Sequence, residues 1–419
     1  MIIIWMTAFI YLVMGYLLQH YIADTTYLTF SFIIIVTLVL FFVLFMKYTQ
    51  FIVIIFAGFI VRLAMVLIDL SQGGPTIPHS GEDTENFYDT ATLISEKMSL
   101  LGESVYGGTY SKMLGMIFYI YGDDRLFVQF FNVLFTITAI LIVIQIFRML
   151  KVPVHVQVIL VAVMTFFPHS LIFSSILLRE AVISLLVVLS LYCFTRWFTR
   201  RERISGVFSV VLILLGAAFH SAIMGILIGY LFGFIFYRHE KQDFKFTVQS
   251  VVPFSIFALI TGYVLVFPGV VSGWPIFNKF DQVLNNDGNV YEAFTSTRGG
   301  TAYLTGIEIN NLFQLLLFSP IKLIYFISSP MPWSVRNFND LISFFLDAVF
   351  YLITLVIFIR YFSAIRQRPI LAILLLIIFT GWFIFGLGIS NAGTALRHRF
   401  KLFYVIIVAL GVIWSRWKR

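Results

Sequence analysis

The sequence predicts an all-α, polytopic membrane protein of about 12 transmembrane helices with two long loops on the outer face. Three observations predict it. Of 419 residues, 60% are hydrophobic and 11% charged, against about 25% charged in soluble domains. The apolar runs last roughly 17–23 residues, the length at which a helix crosses a hydrocarbon core of about 30 Å. Alternation of period two, the mark of a transmembrane barrel, is absent.

The spans fall at roughly 2–22, 27–46, 50–70, 126–148, 154–174, 177–197, 205–220, 221–237, 249–269, 342–360, 369–389 and 398–415. The first has no basic leader and no small-residue cleavage site, so it reads as a retained span rather than a signal peptide. All spans are assigned to a single transmembrane domain, 1–419. The 48 Phe residues read as lipid-facing and packing aromatics. The lone Cys193 excludes an intrachain disulfide and a Cys-based zinc site.

Net charge is +8. The basic residues sit in short connections: RMLK (148–151), TRRER (199–203), RHEK (238–241), RQR (366–368) and the terminal RWKR. That distribution is a topology signal that puts these segments and both termini in the cytoplasm. No basic–aromatic module of a nucleic-acid reader is present. The loops 71–125 and 270–341 then face outwards. Segment 311–328 is apolar enough to span, but spanning would throw RQR to the outer side. With Pro320 and Lys322 near its middle, it reads as a broken, re-entrant or interfacial helix.

Loops of this length are commonly functional. The first carries GEDTENFYDTA (81–91), with four carboxylates and no cation. Phe87, Ala91, Ile94 and Met98 follow a helical spacing. In such a helix Glu82, Glu85 and Asp89 share a face, where like charges raise at least one carboxyl pKa and prepare a general base. Asp83-x-Glu85 also has the hard-oxygen chemistry of a divalent-cation ligand. Equally, the cluster suits a solvated helix N-terminus. The second loop mixes Trp274, Tyr291, Tyr303 and Trp333 with Gly and Asn, as a substrate-contact or interfacial surface would.

Three basic features have site chemistry. Arg62 lies inside the third span, two turns from Asp69, as a functional group or a partner of that carboxylate. Arg179, in LLRE, is an ion-pair partner of Glu180 or a gripper of headgroup phosphate. Arg397, His398, Arg399 and Lys401 open the last span on the expected outer side, against the positive-inside pattern; an anion there resolves the conflict. His79, His169 and His220 are weaker candidates. No P-loop, HExxH, nucleophile elbow or dinucleotide fingerprint occurs.

The stretch from Arg62 to Leu134, with the acidic loop, Gly102 and Gly122, resembles the opening of the C-type glycosyltransferases (GT-C), nearest to their protein O-mannosyltransferase and aminoarabinose-transferase branch. Asp83 matches that family's lead loop carboxylate, Phe87 its aromatic and Ala91 its small residue. Thr84 stands where the family often has a second acid, and YGGTYSK replaces its Pro-Pro turn. The resemblance implies a bacterial envelope enzyme that moves a sugar from a polyprenyl-phosphate carrier to a glycan or lipid acceptor on the outer face. It implies Asp83 as base with Glu85 and Glu82 in reserve. Arg397, Arg399 and His398, supported by Arg179 and Arg62, would hold the lipid phosphate. The resemblance implies no nucleotide, since the carrier phosphate is the leaving group, and assigns no cofactor beyond a divalent cation on Asp83 and Glu85 as an alternative. A polymerase or ligase using polyprenyl-pyrophosphate units, and a lipid-linked glycan transporter, are the alternatives.

Overall fold

The computed structural model describes residues 1–18, 21, 25–71, 77–266, 300–307, 309–336 and 338–415. Trp274, Tyr291 and the terminal RWKR lie outside the described residues. The described chain is helical almost throughout and forms two compact units: residues 1–144 with 154–185, and residues 145–153 with 186–419.

The N-terminal unit contains α1 (Ile2–Leu18), α2 (Thr26–Lys47), α3 (Ile52–Leu70), α4 (Glu82–Glu96), α5 (Thr109–Tyr121), the larger part of α6 (Arg125–Met149), α7 (Val154–Phe166) and α8 (Pro168–Ser175). Its core is aromatic. Tyr121 stacks on Phe127 at 3.6 Å, and Phe32 packs against Phe127, Phe130 and Phe131. Helix α1 reaches α5 because position 15 is glycine; a Cβ there would sit 2.2 Å from the Tyr121 ring. Helix α4 has the expected amphipathic pattern, burying Thr84, Phe87, Ala91 and Ile94 against α5 and leaving Glu82, Glu85 and Asp89 exposed.

The C-terminal unit takes up most of α9 (Glu180–Arg200), then α10 (Arg203–Phe219), α11 (Ile226–Phe236), a two-stranded antiparallel turn of β1 (Tyr237–Arg238) and β2 (Asp243–Phe244), and α12 (Val248–Val266). After the undescribed stretch come α13 (Leu312–Ser328) and α14 (Phe338–Ser343). A π-helical turn (Phe344–Ala348) leads into α15 (Val349–Arg360). The chain closes with α16 (Pro369–Gly388), α17 (Ala392–Phe400) and α18 (Phe403–Trp414). Gly225, Gly229 and Gly233 form one small-residue stripe that brings α11 close to α16. Side-chain carbons of Ile384, Ile377 and Ile373 occupy the space that Cβ atoms would need.

Among the described residues, six helices are long and apolar enough to cross a membrane: α2, Thr49–Leu70, α6, α9, Asp340–Arg360 and α16. Helices α7 and α8, bent by 49° at their break, make a seventh if they are one span. The other apolar helices are 10–17 residues long and include α1, α10, α13 and α18. Two expectations change in detail. Segment 311–328 is one helix, capped by the Asn311 side chain on Gln314 N–H (2.9 Å), and its far end at Ser328 and Ser329 is buried in protein. The last predicted span, 398–415, is divided at Lys401–Leu402, so Arg397–Arg399 belong to the separate helix α17.

Candidate functional site

The acidic loop becomes the first turn of α4. The Gly81 N–H donates to Thr84 Oγ1 (3.0 Å), while Glu85 N–H donates to the Gly81 carbonyl (3.0 Å). Glu82, Asp83 and Glu85 therefore stand at the positive end of the helix dipole, which favours carboxylates there.

The four carboxylates have separate fates. Glu85 receives a bidentate fork from Arg125, with NH1 to Oε2 at 2.8 Å and NH2 to Oε1 at 2.7 Å. That hydrogen bonding holds the Glu85 carboxyl below the usual carboxylate range. The sequence reading expected mutual repulsion to raise a pKa in this cluster; at Glu85 the guanidinium reverses the sign. Glu82 and Asp89 are exposed. Asp83 alone is both half-buried and set among aromatic rings, accepting a 2.6 Å hydrogen bond from the Tyr106 hydroxyl.

Phe87, one turn along α4, is the wall of this site. Tyr106 packs on it at 5.4 Å and Tyr110 meets it edge-on at 5.2 Å. Gly107, at φ +76°, lets the backbone lie directly on Phe87; a Cβ would come within 2.5 Å of the ring. Arg179 places its guanidinium 6.0 Å over the same ring. Thus Arg179 lies over the Phe87 ring, and Asp83 is tied to the same aromatic wall through Tyr106, all within the N-terminal unit. Burial pushes the Tyr110 hydroxyl well above its ordinary range, so it stays protonated as a donor.

Beside this wall, Arg125 also lies 3.9 Å from Asp69 and stands over the Tyr88 ring at 5.4 Å. Tyr88 is pushed up to about 12 by burial and by Asp123. Asp69 accepts from Gln129 at 2.6 Å. Arg62, suggested from sequence as a partner of Asp69, is fully buried. It donates to Ser174 Oγ, Ser170 Oγ and the Gly58 carbonyl at 2.9–3.0 Å, joining α3 to α8. His79 packs on His169 (5.9 Å) and Phe173 (5.4 Å).

The basic start of α17 lies in the C-terminal unit. Arg399 is fully buried and donates to the carbonyls of Phe326 (3.0 Å), Ile327 (2.6 Å) and Ser329 (2.6 Å), with Asp347 at 2.5 Å. Its guanidinium thereby caps the buried end of α13. His398 is buried, Arg397 half-buried. Lys401 Nζ lies 2.7 Å from His398 Nδ1.

No group of three or more His, Cys, Asp or Glu side chains is placed to hold a metal ion among the described residues. Asp83 and Glu85, the pair with metal-ligand chemistry, face Tyr106 and Arg125 respectively. Tyr106, the first residue of YGGTYSK, and Arg125 have no assigned role in the sequence argument. Tyr106 has no local signal. Arg125 does: it opens a span on the same expected face as the conspicuous 397–401 group.

No protein-family model, curated protein or solved structure matches this chain.

Proposed function

We propose that this chain is a membrane glycosyltransferase that moves a sugar from a polyprenyl-phosphate carrier to a glycan or lipid acceptor on the extracytoplasmic face of a bacterial membrane. The shorter apolar helices other than α13 count as spans in this reading, which brings the total to about 12 in a GT-C-like arrangement with both termini cytoplasmic. The observation that carries the reading is Asp83. It is half-buried at a helix N-terminus, oriented by Tyr106, and shares the Phe87 wall with Arg179.

In the proposed reaction Asp83 accepts the proton of the acceptor hydroxyl. The freed oxygen attacks the anomeric carbon, the carbon–oxygen bond to phosphate breaks, and polyprenyl phosphate leaves with the bonding pair. Direct displacement inverts the anomeric centre. Tyr106 fixes the carboxylate by its hydrogen bond to Oδ1, and Arg179 offsets negative charge growing on the leaving phosphate. Glu85, neutralised by Arg125, shapes the turn and leaves the base role to Asp83.

The test uses purified protein, radiolabelled polyprenyl-phosphate sugar and extracted envelope glycans. Asp83→Asn should lower transfer by roughly 10²–10⁴-fold, the usual loss of a general base, with the protein still folded. Undiminished transfer in that variant would sink the assignment. Release of polyprenyl pyrophosphate instead of the monophosphate would point to a polymerase or ligase.

A further inference from the structure

Asn132 is a buried amide that the proposed reaction leaves unused. It stands two turns into α6 at 1% exposure, with Phe130, Phe131, Val133 and Leu134 buried on either side of it in the chain. Burying an amide is costly unless its hydrogens find acceptors. Asn132 finds them in the main chain: Nδ2 donates to the Ile176 carbonyl at 2.8 Å and to the Leu178 carbonyl at 3.1 Å. Two carbonyls on one side fix the orientation of the amide, because only its nitrogen can donate to both. A carboxylate at this position would turn an acceptor towards two acceptors.

Those carbonyls belong to a break in the helical chain. Helix α8 ends at Ser175 and α9 begins at Glu180. Between them Ile176 is extended, and Leu178 N–H turns back to the Ile176 carbonyl at 2.9 Å. Ile176, Leu177 and Leu178 are fully buried. Non-helical backbone among apolar side chains lacks helical partners for its carbonyls and is tolerated where protein groups supply them. Arg62 secures the near side, donating to Ser170 and Ser174, while Ser175 Oγ donates to the Arg62 carbonyl at 3.3 Å. Asn132 secures the break itself.

Arg179 is the last residue of that break. Its carbonyl accepts from Ile183 N–H (3.1 Å) in the first turn of α9, and its guanidinium lies 6.0 Å over the Phe87 ring. The residue directly after the clamped Leu178 is therefore the one whose side chain reaches the aromatic wall. Tyr110 closes the arrangement from α5. Its ring meets Phe87 at 5.2 Å, and its buried hydroxyl lies beside the Asn132 amide, with the charges of Glu180 and Arg179 near it. Asn132, Tyr110, Phe87 and Arg179 form one connected set within the N-terminal unit.

We propose that Asn132 is the positioning residue of Arg179: its amide clamps the α8–α9 break and so holds the guanidinium over Phe87. The clamp stands on the contacts alone. Its kinetic consequence rests on the proposed function, in which Arg179 faces the leaving phosphate. A misplacement of about 1 Å at a group acting on the transition state costs on the order of 10²-fold in rate. Freeing two carbonyls from their shared donor permits a shift of that kind.

The test reads position first and rate second. The full-length protein in nanodiscs is modified with phenylglyoxal, and labelling of Arg179 and Arg125 is followed by peptide mass spectrometry. Arg125, held by Glu85 in the same unit, is the internal reference. In Asn132→Leu, close in size and without donors, Arg179 should label severalfold faster and Arg125 at its wild-type rate. An unchanged Arg179 rate in the folded variant overturns the clamp. Equal acceleration at both arginines also overturns it, because the unit has then loosened as a whole. Where Asn132→Leu fails to fold, Asn132→Ser, which keeps one donor, is read by the same rule. Transfer is then measured in a double-mutant cycle with Arg179→Gln. Asn132→Leu should lower kcat roughly tenfold or more in the wild-type background, and less than about twofold once Arg179 is gone. Equal falls in both backgrounds give Asn132 a merely structural role and overturn the proposal. A wild type that transfers no sugar sinks the proposed function, and the labelling still decides the clamp. Faster Arg179 labelling with unchanged transfer keeps the clamp and removes Arg179 from the reaction.

Discussion

Replacing Arg399 tests whether the buried cap of α13 is what holds the C-terminal unit in shape. Arg399→Met leaves the Asp347 carboxylate, 1% exposed, without its guanidinium, and removes the donor from three carbonyls. Breaking a buried ion pair by deleting one partner costs about 3–5 kcal/mol. At roughly 2 °C per kcal/mol, the low end for a body of this size, the midpoint should fall by ~6–10 °C. Asp347→Leu should fall by a similar amount, since it strands the guanidinium instead. The double variant Arg399→Met/Asp347→Leu removes both charges and should recover about 2–3 kcal/mol relative to the sum of the singles, the coupling range of contacting groups. Thermal unfolding of all four proteins in one detergent closes the cycle. Additivity within ~0.5 kcal/mol would show that the pair is not coupled, and the account of Arg399 as a cap held by Asp347 would be wrong.

Three further outcomes follow from the N-terminal unit. Glu85 has a folded pKa below its unfolded value, so its contribution is complete above about pH 4.3 and lost as pH falls through the lower folded value. Hydrogen exchange of α4 should therefore accelerate under acid conditions in the wild type, and Arg125→Gln should flatten that profile at a faster rate throughout. Gly107→Ala forces a Cβ against Phe87 and Ser111 at φ +76°; a conformational cost of about 1–2 kcal/mol before any clash should lower both thermal stability and transfer, and unchanged values would show that the aromatic wall adjusts freely. In a Cys193→Ser background, an impermeant maleimide applied to intact cells should label Asp89→Cys at once and Arg200→Cys only after permeabilisation; the opposite order inverts the proposed topology.

Local patterns were readable from the chain, and long-range pairings were not. Phe87, Ala91 and Ile94 show their helical spacing, and the structure buries all three on one face. Asp83 and Glu85 suit a helix N-terminus, and both lie in the first turn. Which carboxylate meets which partner is another matter. It depends on Arg125, 40 residues from Glu85, and on Tyr106, 23 residues from Asp83. Repulsion within the acidic stretch was the only local term, so it pointed to a raised pKa where the fold produces a lowered one. The proposed pairing of Arg62 with Asp69 had the same weakness: two turns of one helix align the residues, but serines on α8 and Gln129 on α6 supply the observed partners.

Arginine and lysine inside apolar helices also call for different readings. An intramembrane cation is a functional candidate by default. Arg62 and Arg399 answer it structurally, because a guanidinium fork can serve several fixed acceptors at once, and in both places those acceptors include main-chain carbonyls. Lys322 donates to the Ser390 hydroxyl, and Lys401 lies beside His398 Nδ1 and over the Phe385 ring; an ammonium is a point charge on a flexible stem and fixes its acceptors less rigidly than a guanidinium fork. Substituting either arginine should therefore lower the unfolding midpoint more than substituting either lysine. That difference, measured by thermal unfolding of the four single variants in one detergent, separates a guanidinium that bridges several main-chain acceptors from an ammonium that does not. If Arg399→Met and Lys401→Gln lowered the midpoint alike, that separation would fail.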